Sequence, residues 1–439
     1  MDNIDKVEPK TLPGFMELHP NDQIKFDQMM DTIRRSYERF GFLPLDTPII
    51  ELSEVLLAKA GGETEKQVYR FTKGETDLSL RFDLTVPLAK FVAKNYEELV
   101  FPFKRYQVGK VYRGEKTQKG RYREFYQCDI DVIGDGELSI INDAQIPSVI
   151  YNTFKKLGFD NFTTYINNRK ILNGLFNSLD LKSMAANILH IIDKIDKIGN
   201  DAVKSELETL GINPDAITTI ISFVTIEGSS DEKLLALANL KIDDSLFQEG
   251  LQELNQVVNY IRSLGVPEEY FAIELKIARG LDYYTGTVYE TFLNEHKKLG
   301  SVCSGGRYDN LAEYYTDKKL PGVGISIGLT RLFYQLSEIN AIKADRQAIS
   351  DVLIIPMDLE IDDCLQIANT LRSAGINTDI YFEDAKIKKK MKYADKWNIP
   401  YVILIGETER ETKKYTLKNM ETGEQELLSI EDIIKEIQK

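Results

Sequence analysis

From Asn21 to Phe40 the apolar positions Ile24, Met29, Met30, Ile33, Tyr37 and Phe40 fall on one stripe between polar residues. That spacing predicts a helix with Asn21 at its N-cap and Gly41 at its stop. FLPLDTPIIEL comes next, and its prolines, Pro44 and Pro48, confine any strand there to an edge or an interface. LSLRFDLTVPL, FKRYQVGKVYRGE and YREFYQCDIDVIG are strand-like runs bounded by turn or charge signals, and antiparallel pairing is expected. The pattern then turns helical, in KSMAANILHIIDKIDKIG, LLALANL and SLFQEGLQELNQVVNYIRSLG. Strand-like text returns in FAIELKIARGLDYYTGTVYETF, SVCSGGRYDNL and GVGISIGLTRLFYQL, so a helical insertion interrupts one mixed sheet domain.

After a polar stretch, VLIIP, LQIANTLRSAG, NTDIYF, KIKKKMKYADK and YVILIG alternate strand and helix. This predicts a small α/β domain with right-handed crossovers between parallel strands. The expected division is a sheet core over 1–167 and 256–340, an insertion over 168–255, a linker over 341–350 and an α/β unit over 351–439. A chain of 439 residues suits about three domains.

With 43% hydrophobic and 28% charged residues, the composition supports packed cores rather than long disordered tails. The net charge of −14 excludes a uniformly basic nucleic-acid binder, so any RNA contact must use a local patch. Cys128, Cys303 and Cys364 form no CxxC pair, and His19, His190 and His296 are scattered, which argues against a disulfide framework or structural zinc. The N-terminus lacks the apolar core of a signal peptide, and no apolar run approaches the ~18 residues of a membrane span. A reducing, cytoplasmic protein without membrane contact is expected.

Read as a strand, LRFDLTVPLA places Arg81, Asp83 and Thr85 on one face, with Pro87 opening a helix. Asp83 and Thr85 then either bind an ammonium group or simply cap that helix. In GRYREFYQCDIDVIG the alternation puts Arg123, Phe125, Gln127, Asp129 and Asp131 on one face and Tyr126, Cys128, Ile130 and Val132 on the other. The polar face fits a ligand with anionic and cationic parts, a solvated sheet surface, or a metal at Asp129 and Asp131, although further metal ligands are not recognisable. RGLDYYTG brings Arg279, Tyr283 and Tyr284, and needs a bend near Gly280 for Arg279 and Tyr284 to meet. Gly305 and Gly306 read as a turn or a close approach to a ligand, and the glycines before Arg331 fail the dinucleotide spacing.

The order of these motifs is more specific than any one of them. Arg113-x-Glu115, GRYREFYQ, RGLDYYTG and a glycine-rich strand ending in Arg331 resemble the motifs of class II aminoacyl-tRNA synthetases, and RGLDYYTG resembles the histidine-binding signature of the histidyl-tRNA synthetase family. The resemblance implies an α/β (α+β) fold: an antiparallel-sheet catalytic domain with a helical insertion, and a C-terminal α/β anticodon-binding domain. TPIIEL is similar to the family's dimer-forming motif and implies a homodimer. LRFDLTVPLA looks more like the eukaryotic and archaeal branch than the common bacterial pattern.

The implied substrates are L-histidine, ATP with Mg²⁺, and tRNA(His), joined through a histidyl-adenylate. The implied ATP-binding residues are Arg113, Glu115, Arg121, Phe125 and Arg331. Glu115 would read adenine between Phe125 and Arg331. Asp83, Thr85 and Gln127 would take the histidine ammonium, Asp131 and Tyr284 the imidazole, with Tyr283 beside them. Arg113 and Arg279 are the implied catalytic cations, Arg279 also meeting the histidine carboxylate. No metal-ligating residue and no role for Asp129 is assigned. Thr330 departs from the family, which carries Glu before the arginine, and puts in doubt how Arg331 or a metal is oriented. In KIKKKMKYADK, Lys388 and Lys389 read as a solvated helix face on charge alone and as a tRNA contact once the domain is taken for an anticodon binder. Two rival readings keep the fold without charging tRNA: a regulatory subunit partnering ATP phosphoribosyltransferase, and an RNA-binding or signalling module. Arg113, Gln127, Arg279 and Arg331 together argue against both.

Overall fold

The computed structural model describes residues 7–58, 63–117, 120–192, 194–277, 284–309, 312–342, 348–357 and 361–438. Two compact units emerge, Met1–Met16 with Met30–Ala341, and Glu17–Met29 with Ile342–Lys439. The first predicted helix runs Pro20–Glu38, and Phe26, Met29, Ile33 and Tyr37 are its buried line.

The strands of the first unit are β1 (Leu43–Pro44), β2 (Ile50–Leu52), β3 (Arg70–Lys73), β4 (Thr76–Leu80), β5 (Phe103–Tyr112), β6 (Glu124–Ile133), β7 (Phe162–Asn168), β8 (Phe271–Ile273), β9 (Thr287–Leu293), β10 (Cys303–Tyr308) and β11 (Gly322–Gly328). Eight of them form one sheet in the order β1-β5-β6-β11-β10-β9-β7-β8, and β2-β4-β3 form a small second one. Pairing is antiparallel from β5 through β7, and parallel only where β1 and β8 add at the two edges. Alternation along β6 buries Cys128, Ile130 and Val132 on its apolar side.

LRFDLTVPLA departs from the strand reading. Strand β4 ends at Leu80 and the helix begins at Thr85, so Pro87 lies inside the first turn rather than opening it. The Asp83 carboxylate accepts the Val86 N–H at 3.0 Å and caps that helix. Arg81 turns away from Asp83, donating to the carbonyls of Lys110 and Thr47. Pro87 is tolerated because the first N–H groups of a helix lack intrahelical partners.

The helical run holds the helices Arg169–Ser178, Ala185–Ile192, Ile195–Ile198, Asn200–Thr209, Pro214–Val224, Ser230–Asn239 and Ser245–Ser263. Their starts carry legible caps. Asn213 precedes Pro214 and accepts from Ala216 N, Ser229 and Glu232 form a capping box, and Asp244 accepts from Phe247 N.

In the second unit β12 (Val352–Pro356), β13 (Thr378–Ile380), β14 (Tyr401–Ile405), β15 (Tyr415–Asn419) and β16 (Gln425–Leu428) lie in the order β13-β12-β14-β15-β16. The first three are parallel, as the strand and helix alternation predicts, and an antiparallel hairpin completes the sheet. The basic helix spans Ile387–Lys396.

Candidate active site

Strands β6 and β11 are the floor of a cavity of about 510 Å³. It brings together Asp83, Thr85, Arg113, Glu115, Arg121, Phe125, Gln127, Asp131, Tyr284 and Arg331 of the predicted residues, and Asp129 with them. Arg279 and Tyr283 lie outside the described residues. Lys388 and Lys389 belong to the second unit, exposed on the basic helix. Lys390, between them and Lys392, is buried instead, with Nζ donating to Pro356 O at 2.7 Å, so the run is not a uniform cationic face. Arg123 is absent from the wall: its Nε donates to Glu115 O at 3.1 Å, and its aliphatic stem lies against Gly14.

The Asp131 end of β6 is sealed from water. Register sets Arg105 of β5 opposite Asp131, and the two pair at 2.6 Å with both side chains almost fully buried. Tyr308 donates to the other Asp131 oxygen at 2.9 Å. Arg105 also lowers the pKa of Asp83 and Asp129, so one buried guanidinium serves three carboxylates. Burial outweighs its help. Desolvation raises Asp83, pushes Asp131 up to about 6 and Asp129 up to about 7. Asp83 Oδ2, Gln127 Oε1 and Asp129 Oδ1 are buried and have no hydrogen-bond partner among the described residues. These acceptors, with negative charge in excess of cations, suit an ammonium-bearing ligand.

The glycines make this end possible. A Cβ on Gly324 would stand 2.2 Å from Asp131 Oδ1, and one on Gly305 would stand 2.0 Å from Gly324 O. Gly305 and Gly324 therefore serve close packing of β10, β11 and the Asp131 carboxylate. A metal reading of Asp129 and Asp131 gains no support, since no group of three His, Cys, Asp or Glu side chains among the described residues could hold an ion.

The Phe125 end is basic and more open. The Arg113 guanidinium lies 5.2 Å over the Phe125 ring, while its Nε donates to Phe82 O at 3.0 Å. Arg121 approaches Glu115 at 3.7 Å. Burial lowers the Arg331 pKa, and the nearby Arg121 charge lowers it further. Two cations that repel each other at a cavity wall favour an anion between them. Thr330 does not face this wall: buried at the start of the helix Leu329–Glu338, its Oγ1 accepts the Tyr126 N–H at 2.8 Å and ties that helix to β6.

Arg105, Tyr308 and Ser326 escape a motif reading. The available signal for Arg105 is pairing: aligning FKRYQVGK against QCDIDVIG in antiparallel register sets a lone arginine against a carboxylate.

An antiparallel sheet with this two-ended cavity, and a separate α/β unit after it, define a class II aminoacyl-tRNA synthetase. More narrowly, the chain belongs to the histidyl-tRNA synthetase family, whose model matches residues 14–332, while an anticodon binding domain model matches 351–439. It is 60% identical over 432 residues to the histidine–tRNA ligase of Clostridium tetani, covering 98% of both chains. The corresponding enzyme of Finegoldia magna is 49% identical over 98% of this chain and 100% of its own. The crystal structure of histidyl-tRNA synthetase from Nostoc sp. PCC 7120 superposes with a TM-score of 0.92 at 41% identity, covering 99% of each chain. A Bacillus halodurans structure described as an ATP phosphoribosyltransferase regulatory subunit/histidyl-tRNA synthetase shares the fold at 19% identity, with a TM-score of 0.73 over 88% of this chain and 96% of its own. These relatives are bacterial, so the likeness of LRFDLTVPLA to the eukaryotic and archaeal pattern does not describe their source.

Proposed function

We infer that this chain ligates L-histidine to tRNA(His) with ATP, releasing AMP and pyrophosphate. The observation that carries this reading is one continuous cavity whose floor passes from Phe125, under a guanidinium, to Asp131, beside a buried arginine. Six residue-to-residue steps along the strand separate those two side chains, roughly 20 Å at the usual rise per residue. That span accommodates a nucleotide and an amino acid end to end.

In the first step a carboxylate oxygen of histidine attacks the α-phosphorus of ATP, a new P–O bond forms, and pyrophosphate leaves with the electrons of the broken one. Negative charge builds on the phosphoryl oxygens, so fixed cations lower the barrier without a protein acid or base. Arg113 and Arg279 are the cations assigned to this task. Asp83, Thr85 and Gln127 hold the ammonium, Asp131 and Tyr284 the imidazole with Tyr283 alongside, and Glu115, Phe125, Arg121 and Arg331 the nucleotide. Mg²⁺, when bound, would neutralise charge on the ATP phosphates. In the second step the 3′-hydroxyl of the terminal tRNA ribose attacks the histidyl carbonyl, and AMP leaves.

Exposed Leu43, Ile49, Ile50 and Leu52, on and between β1 and β2, support a homodimer through TPIIEL. The domain boundaries assigned from the sequence, 1–167 with 256–340, 168–255 and 351–439, go with this reading, as does a cytoplasmic site of action; no helix among the described residues is long and apolar enough to cross a membrane. The regulatory-subunit reading has fold likeness at 19% identity behind it, whereas the ligase reading has 60% identity across the chain.

Histidine-dependent ATP–pyrophosphate exchange followed by charging of tRNA tests the assignment, and absence of exchange with pure enzyme overturns it. Exposed Lys388 and Lys389 are assigned to tRNA. Reversing both to Glu should flatten the dependence of log Kd on log salt by about 2. An unchanged slope removes them from the interface.

A further inference from the structure

Gln127 and Asp129 sit two residues apart on the cavity face of β6, and Ser326 of β11 lies opposite Asp129 in the antiparallel register. Gln127 Nε2 donates to Ser326 Oγ at 2.8 Å. Ser326, across from Asp129, also lowers the pKa of that carboxylate, as a hydroxyl turned toward it does. The Asp129 side chain is 2% exposed, and its Oδ1 has no partner among the described residues. Gln107, which register places on its other flank, gives its Nε2 to Asp46 and Thr47 instead, at 2.8 and 3.1 Å.

Donor counting gives this chain a direction once Asp129 is ionised. The carboxylate then only accepts, which draws the single hydroxyl hydrogen of Ser326 toward it. The hydroxyl oxygen can then only accept from Gln127, which forces the amide nitrogen toward Ser326 and the amide oxygen away from it. Gln127 Oε1 is the atom left over, buried on the cavity and unpaired among the described residues. Such an orphaned acceptor is costly until a donor arrives.

We propose that Asp129 and Ser326 are positioning residues that lock the Gln127 amide with its carbonyl oxygen turned toward the substrate ammonium. This rests on the histidine reading of the site. It gives Asp129 a task that touches no substrate: it selects one of two amide orientations, and the wrong one would present an N–H to a cation. A bound ammonium beside Gln127 also favours the ionised form of Asp129, on which the direction of the relay depends.

Isothermal titration of the full-length enzyme with L-histidine and with 3-(imidazol-4-yl)propionate, which lacks the amino group, isolates the ammonium contact. Wild type should prefer histidine, and Ser326→Ala should weaken histidine by roughly tenfold or more while changing the des-amino ligand by less than about twofold. Asp129→Asn, whose amide can donate or accept, should give a smaller loss of the same kind. In a Gln127→Ala background, Ser326→Ala should cost histidine less than about a further twofold. Ser326→Thr, retaining the hydroxyl, should restore affinity to within about threefold, which a general loss of packing would not. Equal weakening of both ligands by Ser326→Ala, or an undiminished loss in the Gln127→Ala background, overturns the relay alone. A wild-type enzyme with no preference for histidine over the des-amino ligand overturns the reading of the site.

Discussion

At the Asp131 end of β6 the charged side chains are buried and Arg105 acts on three carboxylates, joined by Arg113 at Asp83, whereas at the Phe125 end Arg121 is more than half exposed and crowds Arg331. The first end keeps an unmet demand for positive charge in a dry place, where an unpaired group is expensive and therefore discriminating. The second holds positive charge near water, where attraction is screened and an anion can leave. On the proposed reading, one strand thus offers a selective grip for the amino acid and a looser one for the nucleotide.

The contrast breaks most completely at Gly324. A methyl group there meets Asp131 Oδ1 at 2.2 Å and Ile130 O at 2.3 Å, and backbone cannot yield as a flexible side chain does. Gly324→Ala should weaken histidine binding by ~100-fold or more while ATP binding, measured by the same calorimetry, falls by less than about fivefold. Near-normal histidine affinity would show that the floor is not held as tightly as the close approach of Gly324 to Asp131 requires.

A milder pair of changes tests the division itself. Asp131→Asn keeps the shape but removes the charge that Arg105 pairs with, and should raise the histidine KM by about 50-fold with the ATP KM within about threefold. Arg331→Ala should do the reverse, raising the ATP KM by about tenfold and leaving that for histidine within about twofold. Steady-state exchange kinetics read both, and parallel changes in the two constants would dissolve the two-ended picture.

Local pattern made one side of this contrast legible and hid the other. Alternation alone put Phe125, Gln127, Asp129 and Asp131 on one face, since a period of two needs no knowledge of neighbours. What that face binds was open to three readings, because the deciding groups come from other strands: Arg105 from β5, Tyr308 from β10 and Ser326 from β11. Arg81 shows the converse. Its alternation with Asp83 and Thr85 predicted a shared face, but the Asp83 cap ended the extended run and sent Arg81 to backbone carbonyls. Thr330 read as a defect in an arginine motif because only the folded chain reveals the Tyr126 N–H that it satisfies. In the second unit the alternation of strands with helices predicts the parallel strands, while the β15–β16 hairpin lies outside that alternation, its turn containing Gly423, whose φ of 79° suits glycine.

The smallest expected effect concerns the cost of the dry end before substrate arrives. Burial pushes Asp129 up to about 7 from an ordinary 3.8. Between those values the unfolded chain has released a proton that the folded one retains, so this residue's contribution to stability falls as pH rises from about 4 to about 7. Asparagine carries no such proton. Asp129→Asn should therefore raise the Tm of the ligand-free enzyme by roughly 3 °C at pH 8, with the gain shrinking toward zero at about pH 4.5. Saturating L-histidine should narrow the gap at pH 8, because ligand stabilises the folded wild type more than a variant that grips the ammonium less well. Scanning calorimetry at the two pH values, with and without histidine, reads all four numbers. A gain that is equal at both would mean that Asp129 is not ionised at a cost, and the acidic end would lose its claim to stored electrostatic strain.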